Sequence, residues 1–293
     1  MLIATLIAAD QLKKGELSSA TDRLAGIGGK IGRVGEIVDG KAADIYFDGD
    51  LAAARKALTI EVGAIDVVVQ PQENREKKLL ISDMDSTMIT VECIDELASY
   101  AGIKDQIAEI TERAMLGELD FEEALRGRVA LLAGLEISAI DKCLDEKVKI
   151  MPGAKILVQT MAARGAKTIL VSGGFTRFAD PVARNIGFFS AEANILEEAN
   201  GCLTGKLAGS VVDAQRKAEL LRHSAQSAGL SLDQCIAIGD GANDIPMIAL
   251  AGMGVAYHAK PKAAAAADVA IRHNDLSALL YIQGIGSSDW VTG

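Results

Sequence analysis

The sequence predicts an α/β protein with a parallel sheet, an all-helical insertion after the first strand of that sheet, and a small α+β unit at the N-terminus. Three observations lead to this prediction. From Leu79 onward, short apolar runs alternate with helix-like segments, as in parallel sheets. Residues 90–150 contain only helix-like segments. Residues 1–72 follow a strand and helix order of their own.

The N-terminal unit is predicted to be a domain spanning residues 1–72. Helix-like stretches lie at 12–25 and 51–60, between strand-like runs that read LIATLIA, IGRVGEIV, AADIYF and AIDVVVQ. The order β-α-β-β-α-β is that of a ferredoxin-like sandwich, and a unit of this length resembles ACT-type domains. The glycine-rich turn GIGGKIG at 26–32 matches neither common phosphate-binding pattern, so we interpret it as a connecting turn.

The second predicted domain spans residues 73–293 and follows a polar, charged linker, QPQENREKK, at 70–78. The helical insertion at about 90–150 is placed to cover the end of the sheet as a cap. A candidate hairpin at 193–207 contains an Asn-Gly turn signal. The strand-like runs of this domain are LLISD (79–83), KTILVSGG (167–174), CIAIGD (235–240), GVAY (254–257) and DVAIR (268–272).

Composition excludes several classes of protein. The chain has 293 residues, 49% of them hydrophobic, and a formal net charge of -10. A hydrophobic content of this size predicts a packed core, and the negative charge disfavours a nucleic-acid-binding protein. The four cysteines have no C-x-x-C spacing, and no apolar run is long enough to span a membrane. The N-terminus lacks the basic segment of a signal peptide, so we expect a cytoplasmic protein without a membrane partner.

Three of the predicted strands end in polar residues. The first ends in Asp83 and Asp85, the second in Ser172, and the third in Asp240 and Asp244. Ligands of parallel sheets bind beyond the carboxyl ends of the strands, so these side chains are expected to converge. Such a group of carboxylates suits a hard divalent cation. Mg²⁺ fits better than a Ca²⁺ site built only from protein groups, because it usually takes one or two carboxylates together with substrate phosphate oxygens. The residues do not distinguish Mg²⁺ from Mn²⁺.

The same residues suggest phosphoryl transfer. A carboxylate beside a metal ion can attack phosphorus and form an aspartyl-phosphate. A second carboxyl group that carries a proton can protonate the leaving alkoxide. Gly173 and Gly174 allow close approach of backbone amides to the phosphoryl oxygens, and Lys217 could add a positive charge.

Four motifs together resemble those of the haloacid dehalogenase superfamily, in the order in which that superfamily has them. They are DMDST (83–87), VSGG (171–174), Lys217 and GDGAND (239–244). The resemblance covers about residues 75 to 285 and implies the parallel, Rossmann-like sheet of that superfamily. Within it, the chain is similar to the phosphoserine phosphatases, and this similarity extends into the helical insertion at Glu92, Met115, Phe121 and Arg128.

The resemblance implies a role for each matching residue. Asp83 would be the nucleophile and Asp85 the general acid and base. Mg²⁺ would be bound by Asp83, by the backbone carbonyl of Asp85 and by Asp240, with Asp244 close by. The remaining residues would bind substrate: the phosphoryl group at Ser172, Gly173, Lys217 and Asn243, an ammonium group at Glu92, a carboxylate at Arg128, and the rest of the molecule at Met115 and Phe121.

The activity implied by the resemblance is Mg²⁺-dependent hydrolysis of O-phospho-L-serine to L-serine and phosphate, the last step of L-serine biosynthesis. The expected partner is therefore a small-molecule substrate. The sequence does not determine the oligomeric state, and a homodimer is one hypothesis. Other hypotheses remain open at this stage. They are a phosphatase or phosphotransferase that acts on another small phosphomonoester, and an amino-acid-sensing regulatory protein.

Several candidate residues also have ordinary structural interpretations. An Asp after a strand is usually a turn or capping residue, and Lys217 taken alone is typical of a solvated helix. Met115 and Phe121 could be core residues of a helix pair. Glu92 and Arg128 could form a surface ion pair, which contributes little to stability.

Overall fold

The computed structural model describes residues 1–58, 64–116 and 118–292, and at Met115 only the backbone. Two sheets are present, one of four strands and one of seven. The predicted fold class is confirmed, since the larger sheet is mainly parallel and the smaller one is antiparallel. None of the helices in these ranges is both long enough and apolar enough to cross a membrane.

The N-terminal unit is the predicted ferredoxin-like sandwich. Its strand order is β2-β3-β1-β4, with antiparallel pairing throughout. Apolar side chains of its two helices, among them Leu24 and Leu58, pack on Ile45 and Phe47 of the sheet. The predicted helix at 51–60 is observed as far as Leu58, and its last two positions lie outside the described residues. The elements are β1 (Leu2–Ala8), α1 (Lys14–Gly26), β2 (Lys30–Val38), β3 (Ala42–Asp48), α2 (Leu51–Leu58) and β4 (Ile65–Pro71).

The larger sheet has the strand order β11-β10-β9-β5-β6-β7-β8, so the first strand of the second unit, β5, is central. Its strands are β5 (Leu79–Ser82), β6 (Lys167–Phe175), β7 (Ser190–Ala199), β8 (Cys202–Ala208), β9 (Cys235–Gly239), β10 (Met253–Tyr257) and β11 (Val269–Ile271). The predicted hairpin is β7–β8. Ala199 pairs with Cys202 across a two-residue turn, and both turn residues have positive φ, 52° at Asn200 and 79° at Gly201.

The insertion between β5 and β6 is helical, as predicted. Its helices are α3 (Cys93–Tyr100), α4 (Lys104–Met115), α5 (Phe121–Ala130) and α6 (Ser138–Glu146). Asp120 caps α5 by accepting a hydrogen bond from the Glu123 amide. Buried apolar residues of these helices, such as Leu97 and Leu125, belong to the same core as the sheet. The insertion is therefore packed on the sheet as a cap.

The remaining helices surround the sheet. They are α7 (Ala154–Ala163), α8 (Thr176–Ile186), α9 (Ala214–Ser227), α10 (Ile245–Leu250), α11 (Pro261–Ala266) and α12 (Ala278–Ile282), with short 3-10 turns at Leu232–Gln234, Ala242–Asp244 and Ser287–Asp289. Buried residues of α9, including Ala218 and Leu221, pack against Ile81 and Ala237 of the central strands. This packing brings the first turn of α9 to the carboxyl edge of the sheet.

Within the stretch at 70–78, Arg75 and Lys77 are packed between the two units, whereas residues 71–73 are exposed. Arg75 donates two hydrogen bonds to the Asp44 carboxylate, at 2.7 and 2.8 Å, and a third to the Ile282 carbonyl. Lys77 is 5% exposed and donates to the carbonyl of Asp233. The small sheet ends at Pro71 and the larger one begins at Leu79, which supports a boundary near residues 72 and 73, and we keep that boundary as a proposal.

A second contact between the units involves Asp66 in β4. Its buried carboxylate accepts hydrogen bonds from the backbone amides of Arg272, His273 and Asn274, just after β11. The amide of Leu276, two residues further on, donates to the carbonyl of Pro152, at the point where the chain leaves the cap. The N-terminal unit thus supports a loop that also contacts the base of the cap.

Candidate active site

The predicted nucleophile lies at the centre of the larger sheet. All four residues of β5 are buried between β6 and β9, and the Asp83 amide continues the ladder by donating to the Ile238 carbonyl. The chain then turns sharply through Ser86, which has a φ of 54°. As a result, the side chains of Asp83 and Asp85 both line one buried cavity at the carboxyl edge of the sheet.

Lys217 joins two of the predicted acidic residues. Asp213 caps α9 by accepting from the Arg216 amide, which places Lys217 in the first turn of that helix. The Lys217 side chain is 0% exposed, and its Nζ donates to Asp83 Oδ1 at 2.5 Å and to Asp244 Oδ1 at 2.7 Å. Burial alone would lower the pKa of Lys217, but Asp244 and Asp83 more than offset it and raise that pKa above its ordinary value. The ammonium group therefore stays charged.

The third strand end supplies Asp240 and Asp244. Asp244 Oδ2 accepts from the backbone amides of Asp240 and Gly241, both at 3.1 Å, which fixes the carboxylate below the strand. A Cβ on Gly239 would lie 2.4 Å from Asp244 Cγ, so this position requires glycine. Burial and the neighbouring Asp244 raise the pKa of Asp240 to about 7. The positive charge of Lys217 opposes this shift without cancelling it.

The cluster fits a hard divalent cation. Carboxylate oxygens of Asp83, Asp240 and Asp244 all lie within 4.8 Å of one another. Oxygen donors of this kind suit Mg²⁺, Mn²⁺ and Ca²⁺, and a bound cation would relieve the repulsion that raises the pKa of Asp240. Asn243 Oδ1 is buried beside the cluster and has no hydrogen-bond partner among the described residues. A buried acceptor without a partner points to a ligand at this place.

The Asp85 carboxylate makes different contacts from that of Asp83. Its Oδ1 accepts from the Cys93 amide at 2.8 Å, and its Oδ2 accepts from the Ser172 hydroxyl at 3.2 Å. Burial raises the pKa of Asp85 above its ordinary value, although these two hydrogen bonds oppose the shift. A Cβ on Gly174 would approach Asp85 Oδ2 to 2.9 Å. Burial and the nearby Asp244 also raise the pKa of Asp83 well above its ordinary value, while Lys217 opposes that shift. The two carboxylates therefore differ in their partners: Asp83 accepts from the Lys217 ammonium group, whereas Asp85 accepts from an amide and a hydroxyl.

Two cap residues of opposite charge face the same cavity. Glu92 accepts a hydrogen bond of 2.7 Å from Ser86 Oγ, and burial together with the nearby Asp85 raises the pKa of Glu92 well above its usual range. Arg128 is 2% exposed and donates to Thr111 Oγ1 at 2.8 Å. Within the described ranges no ion pair joins Glu92 to Arg128, so their interpretation as a surface pair is wrong.

The cavity between the cap and the sheet has a volume of about 30 Å³. Phe121 closes one side of it, and a Cβ on Gly173 would lie 2.6 Å from the Phe121 ring. Met115 is the last residue of α4, and its side chain lies outside the described part of the chain. A larger cavity of about 400 Å³ lies between α1, α2 and α11, but its charged groups include no pair like Asp83 and Asp85.

Asn194 is a buried residue that the sequence did not reveal. Its side-chain amide donates to the Gly173 carbonyl and its oxygen accepts from the Val212 amide, each at 2.8 Å. It therefore ties the loop after β6 to the segment that leads into α9 and Lys217. Asparagine within a predicted hairpin carried no signal of this contact, because it depends on the pairing of β6 with β7.

A comparison with protein families agrees with this geometry. The model of a family described as hydrolase, haloacid dehalogenase-like hydrolase, matches residues 77–252. The chain belongs to the haloacid dehalogenase-like hydrolases. The matched range contains the carboxylate cluster, Lys217 and the whole cap. Phosphatases of this family depend on a metal ion, and the acidic cluster has the carboxylates to bind one.

Relatives of this hydrolase among characterised proteins are phosphoserine phosphatases. The phosphoserine phosphatase of Streptomyces coelicolor is 46% identical over 235 residues, which are 79% of this chain and 57% of that protein. A probable phosphoserine phosphatase of Schizosaccharomyces pombe is 41% identical over 88% of this chain and 87% of its own length. The chain thus spans little more than half of the first relative and most of the second.

The solved structures that are similar to this chain include phosphoserine phosphatases. A substrate-bound phosphoserine phosphatase complex has a TM-score of 0.68 and 37% identity, covering 70% of this chain and 98% of that one. The unliganded probable phosphoserine phosphatase of Vibrio cholerae has a TM-score of 0.75 and 34% identity, covering 98% of this chain and 88% of that one. The second similarity includes the N-terminal unit of the hydrolase as well as its larger sheet and cap.

Proposed function

We propose that the protein is a phosphoserine phosphatase that hydrolyses O-phospho-L-serine to L-serine and phosphate. One observation carries the proposal. The cavity that contains the Asp83 and Asp85 pair is also lined by Glu92 and Arg128, which have opposite charges. A phosphoserine molecule has a phosphoryl group, an ammonium group and a carboxylate, and this cavity has a matching group for each.

Asp83 is the proposed nucleophile. Its carboxylate oxygen attacks phosphorus, the bond between phosphorus and the serine oxygen breaks, and an aspartyl-phosphate forms. Asp85 donates its proton to the departing serine oxygen. Water then attacks phosphorus, Asp85 takes a proton from it, and the bond to Asp83 breaks to release phosphate. The contacts of Asp85 support this role, because the group must carry a proton when the ester breaks: burial raises its pKa, and its oxygens accept from a neutral amide and a neutral hydroxyl, whereas Asp83 is paired with the Lys217 ammonium group.

Mg²⁺ is the proposed metal ion. The Asp83 and Asp240 carboxylates and the backbone carbonyl of Asp85 would hold it, with Asp244 beside them. When bound, such an ion neutralises negative charge on the nucleophile and on the phosphoryl group. The Asp85 side chain is engaged by Cys93 and Ser172, which supports the assignment of its backbone oxygen, not its carboxylate, to the metal ion.

The substrate is proposed to lie between the cap and the sheet. Glu92 would bind its ammonium group, and the Arg128 fork would bind its carboxylate. Phe121 and Met115 would surround its carbon atoms. The phosphoryl group would be held by Ser172, Gly173, Lys217 and Asn243. Because only about 30 Å³ is accessible in this cavity, we expect the cap to open for substrate to enter.

A phosphate-release screen tests this proposal. We expect phosphate from O-phospho-L-serine in the presence of Mg²⁺, little from sugar phosphates, and none after addition of a chelator. Asp83→Asn should abolish turnover with the fold intact, whereas Asp180→Asn, an exposed aspartate on α8, should retain it. Turnover of a sugar phosphate without turnover of phosphoserine would refute the substrate, and full activity of Asp83→Asn would refute the nucleophile.

Two further expectations concern the molecule in its cell. The four cysteines carry free thiols, which supports a reducing compartment, and we propose the cytoplasm.

A homodimer remains a hypothesis for the oligomeric state. Light scattering coupled to size-exclusion chromatography measures it directly, and a mass near the 30.7 kDa of one chain would contradict it.

A further inference from the structure

Arg128 is a buried side chain with more hydrogen-bond donors than the protein uses. A guanidinium group has five N–H bonds. Arg128 donates through Nε to the Ala124 carbonyl at 3.2 Å and through Nη1 to Thr111 Oγ1 at 2.8 Å. Within the described ranges it has no other acceptor, so three N–H bonds remain for a ligand in the cavity that Arg128 lines.

Thr111 decides which way the guanidinium faces. Its hydroxyl is buried and lies 2.5 Å from Asp95 Oδ1 and 3.0 Å from the Ile107 carbonyl. A hydroxyl has one proton, and the nearer, charged acceptor is the stronger one. The Thr111 hydroxyl therefore donates to Asp95 and presents a lone pair to Arg128. This gives a chain of hydrogen bonds from Arg128 to Thr111 to Asp95.

The three residues of this chain come from three helices of the cap. Asp95 lies on α3, Thr111 on α4 and Arg128 on α5. The same cavity also contains Asp85 and Glu92, whose carboxylates would attract an unrestrained arginine. An arginine paired with Glu92 could not bind the substrate carboxylate, and Glu92 could not bind the ammonium group. A fixed acceptor on a neighbouring helix prevents this pairing.

We propose that Thr111 and Asp95 are positioning residues that direct the remaining N–H bonds of Arg128 at the α-carboxylate of the substrate, and so set the preference for an amino-acid phosphoester. The inference rests on the proposed function, because it takes the ligand carboxylate to be that of phosphoserine. Neither residue touches the reacting phosphoryl group. Their effect is thus expected in substrate selectivity, with little effect on the chemical steps.

A pair of substrates isolates this effect. O-phosphoethanolamine has the phosphoryl and ammonium groups of phosphoserine but lacks the carboxylate. Thr111→Val keeps the shape of the side chain and removes the hydroxyl, while Thr111→Ser keeps the hydroxyl. For Thr111→Val we expect the ratio of kcat/KM for phosphoserine to that for phosphoethanolamine to fall about tenfold, mainly through KM for phosphoserine. Thr111→Ser should restore most of the ratio.

The outcomes separate the two proposals. If the wild-type protein turns over neither substrate, the proposed function fails before the variants are measured. If Thr111→Val lowers kcat/KM equally for both substrates, or leaves the ratio unchanged, Thr111 has only a structural role and the positioning proposal is overturned. Circular dichroism and thermal unfolding of both variants show whether the cap helices stay folded, and Arg128→Ala provides the reference value for complete loss of carboxylate recognition.

Discussion

Replacing Lys217 by methionine should destabilise the protein strongly, even though the two side chains have similar volumes. The Lys217 side chain is fully buried and donates to the Asp83 carboxylate at 2.5 Å and to the Asp244 carboxylate at 2.7 Å. Methionine removes the positive charge and leaves both carboxylates in place. Removal of one partner from a buried ion pair typically costs about 3–5 kcal/mol.

A separate calculation gives a similar magnitude. Without Lys217, the buried cluster can lower its charge by protonating one carboxylate. At pH 7 this costs about 4 kcal/mol for a group with an ordinary pKa near 3.9, at about 1.36 kcal/mol for each pH unit. The cost falls by about 2 kcal/mol between pH 7 and pH 5.5. The destabilisation caused by Lys217→Met should therefore be smaller at the lower pH.

Urea unfolding in the presence of a chelator measures both effects. With an m-value of about 3 kcal/mol/M, a loss of about 4 kcal/mol lowers the midpoint by about 1.3 M. Lys77→Met is the matched control, because Lys77 is also buried but its ammonium group, within the described part of the chain, donates to the Asp233 carbonyl and to no carboxylate, so the change should cost about 1 kcal/mol. Equal midpoints for the two variants, or a Lys217→Met loss that does not shrink at pH 5.5, would refute the reasoning.

Three further predictions follow from the same structure. In chelator, the free energy of unfolding should fall as pH rises from about 4 to about 7, because folding raises the pKa of Asp240 to about 7, and Asp240→Asn should flatten this slope in urea titrations. Gly173→Ala should lower kcat/KM for phosphoserine about tenfold, since its Cβ would lie 2.6 Å from the Phe121 ring, and Phe121→Leu in the same chain should recover part of the loss. Asp66→Ala should lower the free energy of unfolding by about 2 kcal/mol, because three backbone amides, of which that of Asn274 is buried, lose their acceptor; an unchanged thermal midpoint would contradict this.

The positions of the main site residues could be predicted from the sequence for a physical reason. Asp83, Ser172 and Asp240 each follow an apolar run, and the carboxyl ends of neighbouring parallel strands meet at one edge of a sheet. The helical insertion could also be predicted, because residues 90–150, between the first two strands of the larger domain, contain only helix-like segments. These features depend on the local pattern and on one rule of topology.

Contacts between elements that are distant in the chain could not be predicted in this way. No periodicity connects Thr111 to Arg128, since their contact depends on how α4 packs against α5. The charged stretch at 70–78 had the composition of a solvated linker, yet Arg75 and Lys77 have buried partners that only the folded chain provides. Local composition shows that a side chain is polar, but it does not show whether its hydrogen bonds are made to water or to other groups of the protein.

The small space beside Asp83 and Asp85 has a consequence for the fate of the phosphoryl group. Only about 30 Å³ is accessible there, and any acceptor of the phosphoryl group has to reach it between the cap and the sheet. Water is the smallest such acceptor. If the proposed function is correct, product partitioning in mixtures of water and alcohols should therefore favour inorganic phosphate over transferred phosphoester.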